Sequence, residues 1–317
     1  MRQSVKTRRL LVLATILGLI LAACGDGVGG DTTGVTPATS STLPATTSTA
    51  APATTTTTTA ATTTTTGADA TGHVVYFLLE ELDTEDGSPG PFLVPVYRET
   101  SESGEEAELA IRLLLEGPSS DETEGTPSLS TAIPEGTSLL GITVEGGVGT
   151  VDLSGEYDDG GGSFAMFARL AQVVYTLTRL PGVERVAFTI DGEPVTVFSS
   201  EGIELEEPQE RADYYDLLPP VFVDSPAWGE PVTSPVEVRG LSNVFEATSQ
   251  VMLTDDDGLT LFEDHVTASC GTGCWGEWSV DIPYTLDREQ FGALIVWELS
   301  ARDGSQVNIR EYPVILR

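Results

Sequence analysis

Residues whose types and spacing could do chemistry are few in this chain. Cys270 and Cys274 flank Gly271-Thr272-Gly273. In an exported protein such a pair is expected to form a disulfide, because the glycines permit the tight turn that brings the sulfurs together. So small a loop adds roughly 2 kcal/mol at most through chain entropy. The competing reading is a metal or redox site, but zinc takes four ligands and only His265 stands nearby. The imidazole bases are His73 and His265, far apart in the chain, and Ser163 lacks a nucleophile-elbow sequence. Asp255-Asp256-Asp257-Gly258 clusters carboxylates as a hard cation requires, yet the further ligands of a calcium loop are missing, so a hairpin turn is expected. Asp158-Asp159-Gly160-Gly161-Gly162 leads to a helix start as an anion-binding loop would, but its aspartates repel phosphate and no lysine follows. With 49 acids in the chain, carboxylate pairs arise by chance and mark no site. The expectation is no catalytic residue, no metal and no cofactor.

Charge narrows the partners. The 317 residues carry 49 Asp and Glu against 15 Lys and Arg, and Arg2, Lys6, Arg8 and Arg9 use four of those positives at the start. The rest of the chain has no lysine. Such a surface repels nucleic-acid phosphates and anionic lipid headgroups, which excludes DNA, RNA and polybasic membrane binding. It suits the solvated exterior of an exported protein.

The first residues read as an export signal. Arg2–Arg9 form a positive segment and Leu10–Leu21 an apolar run too short to span a bilayer comfortably. Leu21-Ala22-Ala23-Cys24 resembles the lipobox of bacterial lipoproteins. By that resemblance residues 1–23 are a lipoprotein signal peptide, and Cys24 carries a thioether-linked diacylglycerol and becomes the mature N-terminus. Two acyl chains anchor where one holds only marginally. The alternative is an ordinary secretory peptide with a chance cysteine. Residues 24–71 are rich in Gly, Thr, Ala, Ser and Pro, with threonine runs at 54–59 and 62–66. Without large apolar residues they are expected to form a disordered tether, spanning roughly 40 Å as a random coil. Fully extended in polyproline form they would reach on the order of 145 Å.

The elements that must position any site begin at His73–Leu78 and Phe92–Tyr97, two strands around an acidic Asp83–Gly90 loop. Pro95 lacks a ladder donor, which places its strand at an edge or the proline on an outward position. A helix follows, with Ser103 and Glu106 at capping-box spacing, Leu109, Ala110, Leu113 and Leu114 inward, and Gly117-Pro118 closing it. The hairpin Leu140–Glu145 with Val148–Leu153 turns on Gly146-Gly147. A second helix takes Ser163 as N-cap and Phe164, Phe167, Ala168, Ala171, Val174 and Leu177 as buried face; Arg169, Gln172 and Arg179 are left to face a partner. Leu180-Pro181-Gly182 stops it, and Val186–Ile190 pairs with Val195–Phe198 around Asp191-Gly192. This order predicts an α+β domain, helices packed on a mostly antiparallel sheet.

Four phrases in order, Leu114–Pro118, Leu129–Thr137, Val151–Ser154 and Arg169–Thr178, resemble the GerMN domain family over residues 72–200. The resemblance implies an envelope lipoprotein of the spore-germination and sporulation type, a module that associates laterally, and no catalytic residue. Residues 201–219 read as an acidic, proline-broken linker with a Tyr214–Leu218 anchor. In residues 220–317, seven strand-like runs (221–224, 236–239, 245–254, 259–266, 275–282, 293–301, 307–316) indicate an all-β immunoglobulin-like sandwich. Trp228, Trp275, Trp278 and Trp297 are expected in its core, with Trp275 the candidate for exposure. Val221–Pro226, Ser234–Gly240 and Asn243–Ala247 resemble the immunoglobulin-like domain of bacterial spore germination, which is commonly joined to GerMN domains.

The leading expectation is a non-enzymatic protein held by its lipid anchor on the extracytoplasmic face of the cell membrane, binding other envelope proteins or the cell wall or associating with itself. The alternative is a ligand-binding accessory protein using the interdomain cleft for a wall fragment or a cation. A wall hydrolase with a carboxylate pair ranks third.

Overall fold

The computed structural model describes residues 70–80, 90–199 and 202–317. The expected signal peptide, Cys24, the tether to residue 69 and the acidic loop at 83–89 lie outside the described residues. The first region opens with β1 (Thr71–Glu80) and β2 (Phe92–Thr100), antiparallel from Thr71↔Thr100 to Leu79↔Phe92. After α1 (Glu106–Leu115) and α2 (Ser120–Thr123), the short β3 (Ser128–Ser130) joins the far side of β1, giving the order β2-β1-β3. β2 is therefore an edge strand, as Pro95 predicts.

The hairpin of β4 (Leu139–Glu145) and β5 (Val148–Leu153) turns on Gly146 and Gly147, both at positive φ, as the glycine pair predicts. α3 (Ser163–Leu177) then carries the chain to β6 (Arg185–Ile190), which lies parallel to β5 in a largely antiparallel region. Asp191 and Gly192, at φ 49° and 81°, turn β6 into β7 (Glu193–Pro194). The expected partner strand Val195–Phe198 is cut short. Val195 N–H still donates to the Phe188 carbonyl at 3.0 Å, and β8 (Val197–Phe198) then leaves to pair with β9 (Ile203–Glu204).

Both helix starts differ from the sequence expectation. Ser103 does not cap α1, whose N-cap is Glu105 without a side-chain bond; Glu106 and Glu108 lie in the first turn, where the helix dipole favours them. The capping box sits instead at Ser119 and Glu122, on α2, which the hydrophobic pattern did not reveal. Ser163 is the first helical residue of α3, with Gly162 in the N-cap position. The apolar face of α3 is buried as expected except at its first turn, where Phe164 is 49% exposed and Phe167 rests against the Tyr214 ring at 4.7 Å.

Arg169 and Gln172, expected on an outer face, are buried. The reason is the missing strand beside the first half of β1. β3 pairs only with Leu78–Glu80, so the backbone of Tyr76 has no strand neighbour on that side. α3 supplies side chains in its place. Tyr76 N–H donates to Thr176 Oγ1 at 3.2 Å, and Gln172 Nε2 donates to the Tyr76 carbonyl at 2.9 Å. The Gln172 amide oxygen also accepts from the Ala132 N–H at 2.8 Å, tying β1 to the segment after β3. Arg169 closes the glycine-rich loop, donating to the carbonyls of Tyr157, Asp159 and Gly160 at 2.6, 3.1 and 3.1 Å. Each buried polar group on this helix thus completes a backbone bond that no strand or turn provides.

A 3-10 helix, Arg211–Leu217, crosses to the second region and buries Tyr214 and Leu217. The sandwich comprises β10 (Val221–Ser225), β11 (Pro231–Val232), β12 (Val236–Ser242), β13 (Thr248–Asp255), β14 (Thr260–Thr267), β15 (Gly276–Ile282), β16 (Gln290–Leu299) and β17 (Gln306–Leu316). Its sheets are β10-β12-β15 and β11-β17-β16-β13-β14. The seven expected runs are all present with shifted ends, most at Phe245–Ala247, a 3-10 turn with Glu246 and Ala247 at φ 56° and 57°, and at 300–301, which fall outside β16. Asp255–Gly258 forms the expected hairpin turn, Asp255 Oδ1 accepting from the Asp257 and Leu259 amides at 3.0 and 2.8 Å.

Trp278 and Trp297 are core residues, whereas Trp228 and Trp275 are half-buried. Trp278 lies opposite Gly240 on β12, where a Cβ would stand 2.6 Å from the indole and closer still to the Phe222 carbonyl. Only glycine leaves room there. Cys270 and Cys274 are bonded, with Cα atoms 5.9 Å apart. Gly271 presses against the Ala247 backbone, where a Cβ would come within 2.5 Å.

Candidate functional site

The histidines are not brought together: His73 is buried in β1, and His265 stands exposed on β14 beside Asp264 at 3.1 Å. Among the described residues no cluster of three or more His, Cys, Asp or Glu could hold a metal, and no helix is long and apolar enough to cross a membrane. The ionisable groups that do converge lie where the two domains meet.

Asp224, at the end of β10, is the centre of that junction. Its carboxylate accepts from Arg179 Nη1 at 2.8 Å, from Arg211 Nη1 at 3.0 Å and from the Tyr76 hydroxyl. Arg179 Nη1 also donates to the Asp224 carbonyl at 2.8 Å. Four separate segments contribute: Tyr76 from β1, Arg179 from the turn after α3, Arg211 from the 3-10 helix and Asp224 from the sandwich. Arg211 is the most heavily used. Its Nε donates to Thr178 Oγ1 at 2.8 Å and its Nη2 to the Tyr175 carbonyl and the Tyr76 hydroxyl, at 3.1 and 3.2 Å. The guanidinium also lies 4.7 and 5.4 Å from the ring centres of Tyr175 and Tyr76.

Electrostatics follow from this geometry. Burial works to raise the pKa of Asp224, but the charges of Arg211 and Arg179 outweigh it and hold the carboxyl below its ordinary value. Burial works to lower the pKa of Arg211, and the neighbouring Tyr76 and Asp224 oxygens reverse that, keeping it firmly charged. Burial pushes the Tyr76 hydroxyl well up, so it remains a neutral donor. These groups have no free proton to give or take near neutrality. They fasten the domains to one another.

A second fastening runs through the backbone. The outer edge of β2 is met by Trp228, whose N–H donates to the Pro95 carbonyl and whose carbonyl accepts from the Tyr97 N–H, both at 2.9 Å. Gly229 N–H reaches the Pro313 carbonyl on β17 at 2.7 Å. The edge left unpaired by the first domain is closed by the second. Arg310 adds a guanidinium 5.1 Å from the Phe92 ring centre.

Beside the ion cluster opens a cleft of about 920 Å³, lined by Arg179, Arg211, Tyr215 and Asp224 at the junction and by Arg239, Trp278 and Ser279 of the sandwich. Tyr215 packs against Trp275 at 5.5 Å between ring centres, so the disulfide loop abuts the linker. Arg179, expected on an outer face toward a partner, is mostly buried and bonded to Asp224 of the sandwich. Arg211 and Asp224 were missed; the sequence shows them only as a charge in an acidic linker and the end of a strand.

Residues 74–196 match the Germane family, described as sporulation and spore germination. Residues 220–305 match the immunoglobulin-like domain of bacterial spore germination. The chain matches no curated protein. Among solved structures, it is similar to the first GerMN domain of the sporulation protein GerM from Bacillus subtilis, at 15% identity and a TM-score of 0.37, covering 45% of this chain and 99% of that one. It is also similar to the tandem GerMN domains of that protein, at 14% identity and a TM-score of 0.39, covering 69% of this chain and 63% of that one. The chain therefore carries a GerMN domain followed by an immunoglobulin-like domain of the bacterial spore-germination type.

Proposed function

We propose that this chain is a non-enzymatic envelope protein, lipid-anchored through Cys24 on the extracytoplasmic face, whose paired domains bind other envelope proteins or the cell wall, or associate laterally with further copies. Both domains are of sporulation and germination type. The observation that carries the reading is the junction. Asp224, Arg179, Arg211 and Tyr76 are spent on one another and on the backbone, so the buried ionisable groups make a rigid two-domain body instead of a reaction centre. The Leu21–Cys24 phrase and the Thr- and Pro-rich stretch after it support attachment through a spacer.

Crosslinking in intact cells followed by pulldown tests the binding role. A defined envelope partner or a self-oligomer is expected; a chain that crosslinks to nothing, at native abundance, would refute it. Metabolic labelling with a lipid precursor tests the anchor. Label is expected on the native chain and absent from Cys24→Ala, and label persisting in that variant would dismiss Cys24 as the attachment point.

A further inference from the structure

The interdomain cleft runs against the charge of the molecule. In a chain with 49 acidic and 15 basic residues, it gathers Arg179, Arg211 and Arg239 against two carboxylates, Asp224 and Glu277. Asp224 is already occupied by two guanidinium groups and a phenol, so it offers little to a cation. Arg239, by contrast, is available. Its side chain is 55% exposed, and its ion pair is a long one of 3.9 Å to the equally exposed Glu237. Arg179 commits Nη1 to Asp224 and, among the described residues, makes no hydrogen bond through Nε or Nη2. Trp278 borders the cleft through its strand, while its ring turns away from the neighbouring Glu277 and Ser279 into the sandwich core against Gly240. Ser279, Thr267 and the half-buried ring of Tyr215 complete a wall of hydroxyls and one aromatic face.

We propose that this cleft binds an oxyanion carried on a hydroxylated body: a phosphate or carboxylate group attached to a sugar or polyol chain. Arg239 and the free nitrogens of Arg179 take the oxyanion, since guanidinium matches its planar or tetrahedral oxygens with paired donors. The serine and threonine hydroxyls and the Tyr215 ring take the hydroxylated body. The proposal rests on the reading of the two domains as a binding module and is independent of the lipid anchor.

The test is calorimetric titration of the full chain with a glycerol-phosphate oligomer and, separately, with a muramyl peptide bearing free carboxylates, each beside its neutral counterpart. Saturable binding of at least one anionic probe is expected, and the arm that binds identifies which anion the cleft takes. Arg239→Glu should weaken that binding on the order of tenfold or more, the worth of a charged hydrogen bond. Arg288→Glu makes the same change in net charge at the Asp255–Gly258 turn, where Arg288 meets Asp256, and should leave binding unchanged. Equal weakening by the two variants, neutral probes binding as well as charged ones, or no binding by either anion would each overturn the proposal. Crosslinking in cells is scored separately: a protein partner retained by Arg239→Glu while anion binding is lost leaves the binding-module reading intact.

Discussion

Asp224 holds two arginines and a tyrosine from the neighbouring domain, and removing its charge strands all three. Asp224→Asn should destabilise the fold by about 2–3 kcal/mol, somewhat below the cost of breaking a fully buried pair, because 24% of the side chain meets solvent. Urea denaturation of the two chains measures this. The same residue sets an acid dependence. Its folded pKa lies below the ordinary 3.8, so the unfolded chain binds the proton more readily. The stability contributed by Asp224 is therefore fully present above that value and is lost as pH falls through the depressed folded pKa. The gap between native chain and Asp224→Asn should accordingly narrow between about pH 5 and about pH 2. A gap that stays constant over that range would mean the carboxylate charge does not hold the junction.

At the scale of elements, α3 is a helix dressed by what its neighbours lack. Gln172→Leu keeps the volume and removes the bonds to Tyr76 and Ala132, leaving a buried carbonyl and amide unpaired. A loss of about 2–3 kcal/mol is expected, with faster hydrogen exchange at the Ala132 amide as the local signature. Gly161, at φ 89°, precedes the same helix, and a Cβ there would stand 2.9 Å from Ala165 and 3.1 Å from the Arg169 guanidinium. Gly161→Ala should lower the melting temperature through strain of about 1–3 kcal/mol. Alternation and turn glycines made the strands legible in the sequence, because a half-buried strand writes its two faces at every second residue. The polar residues of α3 were misread, because helical periodicity treats polar as solvent-facing. Gln172 and Thr176 instead face a strand edge whose missing partner no local pattern discloses. Ser-x-x-Glu spacing occurs at Ser103 and at Ser119, and only Ser119 stands at the N-cap of its helix, Glu105 holding that position on α1. The junction was least legible of all, since Tyr76 and Asp224 meet across a separation of 148 residues.

For the whole molecule, the shared edge and the shared ion cluster make the two domains thermodynamic parts of one body. Calorimetry of the native chain should show a single unfolding transition whose van't Hoff and calorimetric enthalpies agree. Two resolved transitions would show that the junction holds the domains without coupling them. Trp228→Pro, which deletes the donor to the Pro95 carbonyl, is expected to separate that transition into two. The way Trp228 closes β2 has a mechanical side as well. Residue 70 leads directly into β1, so any tension arriving from the N-terminal side enters the molecule through that strand. It spreads over the β1–β2 ladder and passes from Pro95 and Tyr97 into Trp228, and from Tyr76 into Asp224. The load path crosses to the sandwich laterally, so a pull on β1 would be borne by both domains together.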